Sequence, residues 1–257
     1  MGVARDSASA ARMAIPSFAW RVAEVVGMRQ EATAVRTLLL DVPGWPEHLA
    51  GQHVDVRLTA EDGYQAERSY SIASAPGSPR LELTVEGLPD GEVSSYLTGD
   101  LRAGDRFELR GPIGGYFTWQ PADGGPLLLV AGGSGIVPLM AMLRARAAAD
   151  DDVPATLLAS WQSFEHVIYR EELDRLAASP GVRVVQTLTR SHPAAWSGPT
   201  RRIDAAMLED AVGVPDRGLR AYVCGPTRLV EQVAADLLTL GLPAHRVKTE
   251  RFGPTGT

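Results

Sequence analysis

The sequence predicts an antiparallel β-barrel over residues 15–122, followed by a doubly wound parallel α/β sheet over residues 123–257. Three observations carry that reading. Short runs of alternating apolar residues recur through the first half between Gly, Pro and Asp turns, the pattern of a barrel or sandwich. After Asp123-Gly124-Gly125 the texture changes to apolar strand-like runs alternating with stretches rich in Ala, Leu and Met, the pattern of a parallel sheet with crossover helices. A chain of 257 residues accommodates two units, each of about 100–130 residues.

In order along the chain, residues 1–14 read as a flexible Ala/Ser-rich tail. Strands are expected over Phe18–Val26, Ala34–Val42, His53–Leu58, Ser69–Ala73, Leu81–Val85 and Arg106–Leu109, with turns at Pro43-Gly44, Asp62-Gly63, Pro76-Gly77 and Gly104-Asp105. A short helix is expected over Val93–Thr98, with Ser94 suited to cap it. In the second half the run Leu127–Ala131 predicts a buried strand and Ile136–Ala149 a helix. Strands over Ala155–Trp161, Val182–Leu188, Leu219–Cys224 and Val247–Arg251 then alternate with helices over Tyr169–Ala177, Ile203–Leu208 and Thr227–Leu240.

Composition excludes several classes. The net charge of −6 argues against a general nucleic-acid binder. No apolar run reaches the roughly 18–20 residues needed for a membrane span. The single Cys224 excludes an internal disulfide and a cysteine-held iron–sulfur cluster within this chain, and fits a reducing cytoplasm. The histidines show no metal-ligand spacing.

Chemistry concentrates in a few segments. Arg68-Ser69-Tyr70-Ser71-Ile72-Ala73-Ser74 sets a guanidinium, a phenol ring and several hydroxyls along one short strand. Strict alternation puts Arg68, Tyr70, Ile72 and Ser74 on one face, and Ser69, Ser71 and Ala73 on the other. The guanidinium fork suits a phosphate, the ring suits a flat aromatic ligand, and a small hydroxyl can approach that ligand's polar edge. An ordinary strand with a surface arginine has the same composition. Gly91-Glu92-Val93-Ser94 reads as a glycine turn into a helix whose free amides suit a second phosphate. Gly132-Gly133-Ser134-Gly135 joins a strand to a helix that has Pro138 in its first turn, a phosphate-cradling arrangement as well as a plain tight turn. Cys224-Gly225-Pro226 ends a later strand, at the same sheet edge as those glycines. Cys224 also suits a small buried apolar position.

Taken together and in order, these segments resemble the ferredoxin–NADP reductase superfamily, most closely the reductase components of bacterial oxygenases and flavohaemoglobin-like reductase modules. Arg68-Ser69-Tyr70-Ser71 with Ser74 is similar to the RxYSxxS flavin motif. Gly91–Leu97 is similar to the flavin pyrophosphate turn, Gly111–Phe117 to the GPxGxF turn, Gly132–Pro138 to the GGxGIxP dinucleotide loop and Cys224-Gly225-Pro226 to the CGP motif. The resemblance spans Phe18–Gly256. It implies FAD as cofactor and NADPH or NADH as substrate. Arg68 and Ser94 would hold the flavin pyrophosphate, and Ser69, Ser74, Thr84, Val85, Gly91 and Val93 would also contact the cofactor. Tyr70 would stack on the flavin ring and Ser71 would sit beside N5. Gly132, Gly133, Ser134, Gly135, Gly225 and Pro226 would receive the dinucleotide. Cys224 and Glu250 would flank the nicotinamide or shape its pocket, and Phe252 would cover the flavin.

Two departures bear on function. Residues 160–163 read Ser-Trp-Gln-Ser, so Gln162 stands where family members that bind NADP often carry an arginine for the 2′-phosphate. Arg190 and the pair Arg201-Arg202 are candidate substitutes, and a solvated basic face explains them equally; their proximity favours NADPH. The fused iron–sulfur domain of many oxygenase reductases has no counterpart in this sequence. The resemblance therefore implies an NAD(P)H oxidoreductase that passes electrons to a separate ferredoxin or oxygenase component. A flavin reductase and a nicotinamide-sensing subunit without turnover are the competing readings.

Overall fold

A computed structural model describes residues 19–150, 152–213 and 218–252. The expected N-terminal tail, the start of the first strand at Phe18 and the last five residues lie outside the described residues.

The first half forms a six-stranded antiparallel sheet: β1 (Arg21–Ala32), β2 (Val35–Asp41), β3 (His53–Thr59), β4 (Gln65–Ser71), β5 (Leu81–Glu86) and β6 (Arg106–Ile113), in the order β4-β3-β6-β1-β2-β5. The edge strands meet where an isolated bridge pairs Ile72 with Leu83 and the Ala73 N–H donates to the Glu82 carbonyl at 2.8 Å. That junction rolls the sheet into a barrel around Val25, Leu38, Leu40, Val54, Val56, Leu83 and Leu109. Burying one such side chain contributes roughly 1.5–3 kcal/mol, so the alternation in the sequence sets which face turns inward.

Helix α1 (Glu92–Gly99) follows β5. Its N-cap is Gly91, not the expected Ser94. The Ser94 hydroxyl lies inside the first turn, where it donates back to the Gly91 carbonyl (3.1 Å) and accepts from the Leu88 N–H (3.2 Å).

The second half is a five-stranded parallel sheet of β7 (Leu127–Gly132), β8 (Ala155–Trp161), β9 (Val182–Leu188), β10 (Arg220–Pro226) and β11 (Val247–Phe252), in the order β11-β10-β7-β8-β9. The strand order reverses between β7 and β10, and the carboxyl ends of strands at such a point form a ligand crevice. Helices α2 (Ile136–Ala148), α3 (Arg170–Ala177), α4 (Ala205–Val212) and α5 (Thr227–Thr239) cover the sheet. Leu127, Leu129 and Ala131 pack towards α2, whereas Leu128 and Val130 pack towards α4 and α5. A strand covered on both faces needs a continuous apolar run, which is what residues 127–131 supply. Helix α4 starts two residues later than expected because the Asp204 carboxylate accepts from the Met207 N–H (3.0 Å) and caps it. Tyr169 precedes α3 and does not belong to it, because its φ of 60° is left-handed.

The two halves share a core. Ala32, Val35, Ala50, Ala73, Phe117 and Trp119 from the barrel side pack in the same cluster as Leu139, Met140 and Leu143 of α2. Phe117 meets Tyr222 edge-on at 5.5 Å. The Thr118 carbonyl accepts from the Tyr222 hydroxyl (3.0 Å) and from Lys248 Nζ (3.1 Å).

At the strand-order reversal the backbones nearly touch. A Cβ on Gly135 would lie 2.2 Å from the Cys224 carbonyl oxygen, so only glycine fits without displacing β10. Gly135→Ala is expected to destabilise the chain by at least about 1–3 kcal/mol. Urea unfolding measures it, and an unchanged midpoint would contradict this packing.

Candidate functional site

A cleft of about 980 Å³ runs between the barrel and the parallel sheet. Barrel residues on one wall include His53 of β3, Arg68–Ser71 of β4, Thr84 of β5, and Gly91, Val93 and Ser94 at the start of α1. Gly132, Gly133 and Ser134 at the end of β7, Ser160 to Gln162 at the end of β8, Pro226 at the end of β10 and Glu250 to Phe252 of β11 face them. All four of Arg68, Ser69, Tyr70 and Ser71 border this cleft, although alternation alone divides them between two faces. The reason is position: β4 is an edge strand, and a cleft that wraps an edge meets side chains from both faces.

The polar groups of this wall are incompletely paired. The Ser71 hydroxyl oxygen is fully buried and has no hydrogen-bond partner among the described residues. A buried hydroxyl without a partner costs about 1–3 kcal/mol, and native structures rarely leave one so. Arg68 donates Nη1–H to the Glu67 carbonyl (2.6 Å) and joins no ion pair among the described residues. By contrast, on the same sheet Arg110 pairs with Asp55, and Arg57 with Glu108. Tyr70 is half-buried, and burial pushes its phenol up to about 12, so the ring presents a neutral hydroxyl. Helix α1 directs the positive end of its dipole at the same wall. A cation without a carboxylate, a neutral flat phenol, an orphan hydroxyl and a helix start are a donor set that fits a flavin dinucleotide.

On the opposite wall Gly133 adopts φ 55°, and the direction its Cβ would take is open space. The turn thus presents bare backbone to the cleft, which a dinucleotide phosphate can approach closely. Burial pushes the Glu250 carboxyl up to about 7. Cys224 lies behind this wall with no exposed surface, and its thiol is pushed well up by burial and then by the nearby Glu250 charge. It is a protonated core residue that touches the site only through its neighbours.

Of the residues singled out in the sequence, Arg68, Ser69, Tyr70, Ser71, Thr84, Gly91, Val93, Ser94, Gly132, Gly133, Ser134, Pro226, Glu250 and Phe252 line one cleft. Ser74, Val85, Gly135, Cys224, Gly225, Arg190 and Arg202 fall outside its lining. Ser74 is buried, and its hydroxyl accepts from the Glu82 N–H (3.2 Å). Arg201 is neutralised by Asp204 at 2.5 Å. Arg190 is exposed, and its backbone N–H donates to the Gln162 carbonyl at 2.9 Å, which holds it at the cleft's rim. Sequence reasoning missed His53, Trp161 and His166. His53 pairs directly across from Ser71, so a register between β3 and β4 was the signal that could have found it. Burial pushes the His53 imidazole down against the pull of Asp55.

Comparison with known proteins follows the same division. Residues 24–118 match the family described as oxidoreductase FAD-binding domain, and residues 129–235 that described as oxidoreductase NAD-binding domain. The chain is 36% identical over 240 residues to ferredoxin–NADP reductase B of Sorangium cellulosum, covering 90% of this chain and 96% of the relative. It is 31% identical over 250 residues to the flavohemoprotein of Bordetella pertussis; that match covers 92% of this chain but spans only 61% of the relative's length. The flavohem-like FAD/NAD-binding domain of nitric oxide dioxygenase from Vibrio cholerae superposes with a TM-score of 0.81 at 25% identity, covering 91% of this chain and 99% of that one.

Glu250 gives a signed pH prediction. Its folded pKa of about 7 exceeds the ordinary 4.5, so folding favours the protonated form. That contribution is fully present below about pH 4.5 and is lost as pH rises through about 7. Glu250→Gln, neutral throughout, is expected to exceed the parent in stability near pH 8 by about 2–3 kcal/mol, with the gap closing near pH 4. Urea unfolding of flavin-free protein at both pH values measures it, and a gap that does not depend on pH would contradict the burial of this carboxyl.

Proposed function

The chain belongs to the ferredoxin–NADP reductase superfamily, and from that premise we propose that it is an FAD-dependent NAD(P)H reductase delivering electrons to a separate ferredoxin or oxygenase component. One observation carries the reading: a strand bearing an unpaired cation, a phenol ring and an orphan buried hydroxyl faces a bare glycine turn across one cleft. When bound, FAD supplies a two-electron acceptor for the nicotinamide and a one-electron donor for the next protein.

The chain's residues bind, orient and exclude water. Arg68 and the amides at Gly91–Ser94 would hold the pyrophosphate. Tyr70 would offer its ring to the flat part of the cofactor. The Ser71 hydroxyl would gain there the partner it lacks in the protein alone. Gly132–Ser134 and Pro226 would seat the dinucleotide across the cleft from the flavin wall, and proximity would supply much of the acceleration. Cys224 and Gly135 shape that seat from behind. Glu250, half protonated near neutral pH, lines the cleft and could hold a proton there. Phe252, half-buried at the end of β11, lines the same cleft and would cover the cofactor ring. The buried, protonated lone cysteine fits a reducing cytoplasm, and no helix among the described residues is long and apolar enough to cross a membrane.

Gln162 lies exposed at the cleft, and its carbonyl accepts from the backbone N–H of Arg190. That placement favours NADPH over NADH. Stopped-flow mixing with each dinucleotide is expected to bleach the flavin band, faster with NADPH; a bound flavin that neither dinucleotide bleaches would contradict the proposal. Gln162→Arg adds a charge-assisted contact to the 2′-phosphate and is expected to raise the NADPH-to-NADH ratio of kcat/KM by about tenfold or more.

A further inference from the structure

A row of buried hydroxyls crosses between the two halves. The Tyr169 hydroxyl donates to Thr84 Oγ1 at 2.5 Å, Thr84 Oγ1 lies 2.7 Å from Thr37 Oγ1, and Thr37 Oγ1 donates to Glu31 Oε1 at 2.7 Å. Proton counting fixes the direction of the middle bond. A hydroxyl carries one hydrogen, and an ionised carboxylate only accepts. Thr37 spends its hydrogen on Glu31, so Thr84 must donate to Thr37 and can only accept from Tyr169. The row therefore runs one way, from Tyr169 through Thr84 and Thr37 to Glu31, which is held by Arg29 at 2.7 Å.

Each link joins a different element: the residue before α3, then β5, β2 and β1. Tyr169, Thr84 and Thr37 are all buried, at 2%, 5% and 0% exposure. Burial pushes the Tyr169 phenol well up, so it remains a donor. Its ring is fixed from the other side as well. The Arg144 guanidinium of α2 lies over it at 4.6 Å, grips Glu172 through two bonds of 2.8 and 2.5 Å, and donates to the Ala73 carbonyl of the barrel at 2.7 Å. Tyr169 takes a left-handed backbone conformation, unfavourable for a residue with a Cβ, to place its ring there. Thr84 in turn lines the flavin cleft.

We propose that Tyr169 is a positioning residue: its hydroxyl, through Thr84, Thr37 and Glu31, latches the dinucleotide-binding half to the β5 wall of the cleft and sets the approach of the nicotinamide to the flavin. Substrate and flavin are gripped by different halves, so a small slip between the halves misaligns the reacting partners while leaving each half's own contacts intact. Fully paired buried networks of this kind rigidify what they join.

The inference rests on the reductase reading, and two measurements on the flavin-loaded protein separate their failures. The first is the limiting rate of flavin bleaching at saturating dinucleotide, set against bleaching by dithionite, which needs no docking. Tyr169→Phe keeps the ring and is expected to lower the dinucleotide rate by about tenfold or more, with the dithionite rate and flavin retention unchanged. The second is amide hydrogen exchange over Leu81–Glu86, which needs no turnover; exchange about tenfold faster is expected in the variant.

Thr37→Val, outside the cleft lining, breaks the row further along and carries the test if Tyr169→Phe does not fold. The double variant is expected to be no slower than the slower single variant, because the row acts as one unit. An unchanged limiting rate, or an equal loss with dithionite, overturns the latch. If neither dinucleotide bleaches the parent protein, the reductase reading fails and exchange over Leu81–Glu86 alone decides the latch, with unchanged protection overturning it.

Discussion

The barrel and the parallel sheet are packed through a common apolar core, and the cleft depends on that shared packing. Ala73, Phe117 and Trp119 from the barrel side interleave with α2 and with Tyr222 of β10. Protein interiors are packed as densely as organic crystals, so such a core resists sliding. A site split between two units needs this stiffness, because neither wall can hold two ligands in register by itself. The polar bonds across the junction, from Tyr222 and Lys248 to the Thr118 carbonyl on one side and from Arg144 to the Ala73 carbonyl on the other, choose one orientation among those that apolar contact alone would tolerate.

Within the cleft, electrostatics and backbone geometry divide the labour. The barrel wall keeps an exposed cation free of carboxylates among the described residues and leaves a buried hydroxyl unpaired; only the second is unfavourable in the protein alone, and on the proposed reading a flavin dinucleotide would relieve it. The opposite wall offers little free charge: a glycine turn, proline, glutamine, an arginine (Arg251) already paired with Glu231, and a carboxyl whose pKa burial raises to about 7. This asymmetry suits a tightly held prosthetic group on one side and a dinucleotide that must leave after each turnover on the other.

Much of this was legible in the residues. The strands of both sheets appeared as alternating or continuous apolar runs because burial on one or two faces dictates those patterns, and Leu127–Ala131 is the clearest case. The motif segments Arg68–Ser71, Gly91–Ser94 and Gly132–Ser134 converge on one cleft because each lies at the end of a strand or the start of a helix. The sequence was silent where long-range geometry decides. Gly135 is required by a backbone crossing at the Cys224 carbonyl, a constraint that spacing cannot distinguish from a ligand site. Ser94 bonds backward within its turn, and Asp204 delays α4, because local hydrogen bonds shift helix starts by a few residues. His53 and Tyr169 lie in unremarkable stretches, and only strand pairing and domain docking give them neighbours that matter.

The orphan Ser71 hydroxyl and the Arg68 guanidinium are the two groups that a bound flavin would complete. Titrating flavin-free protein with FAD, followed by the shift in the flavin absorption bands, tests that assignment. Saturation at one equivalent, weakened strongly by Arg68→Ala and measurably by Ser71→Ala, is the predicted result. A polypeptide that stays colourless in excess FAD, or that binds it equally well without those two side chains, would contradict the account.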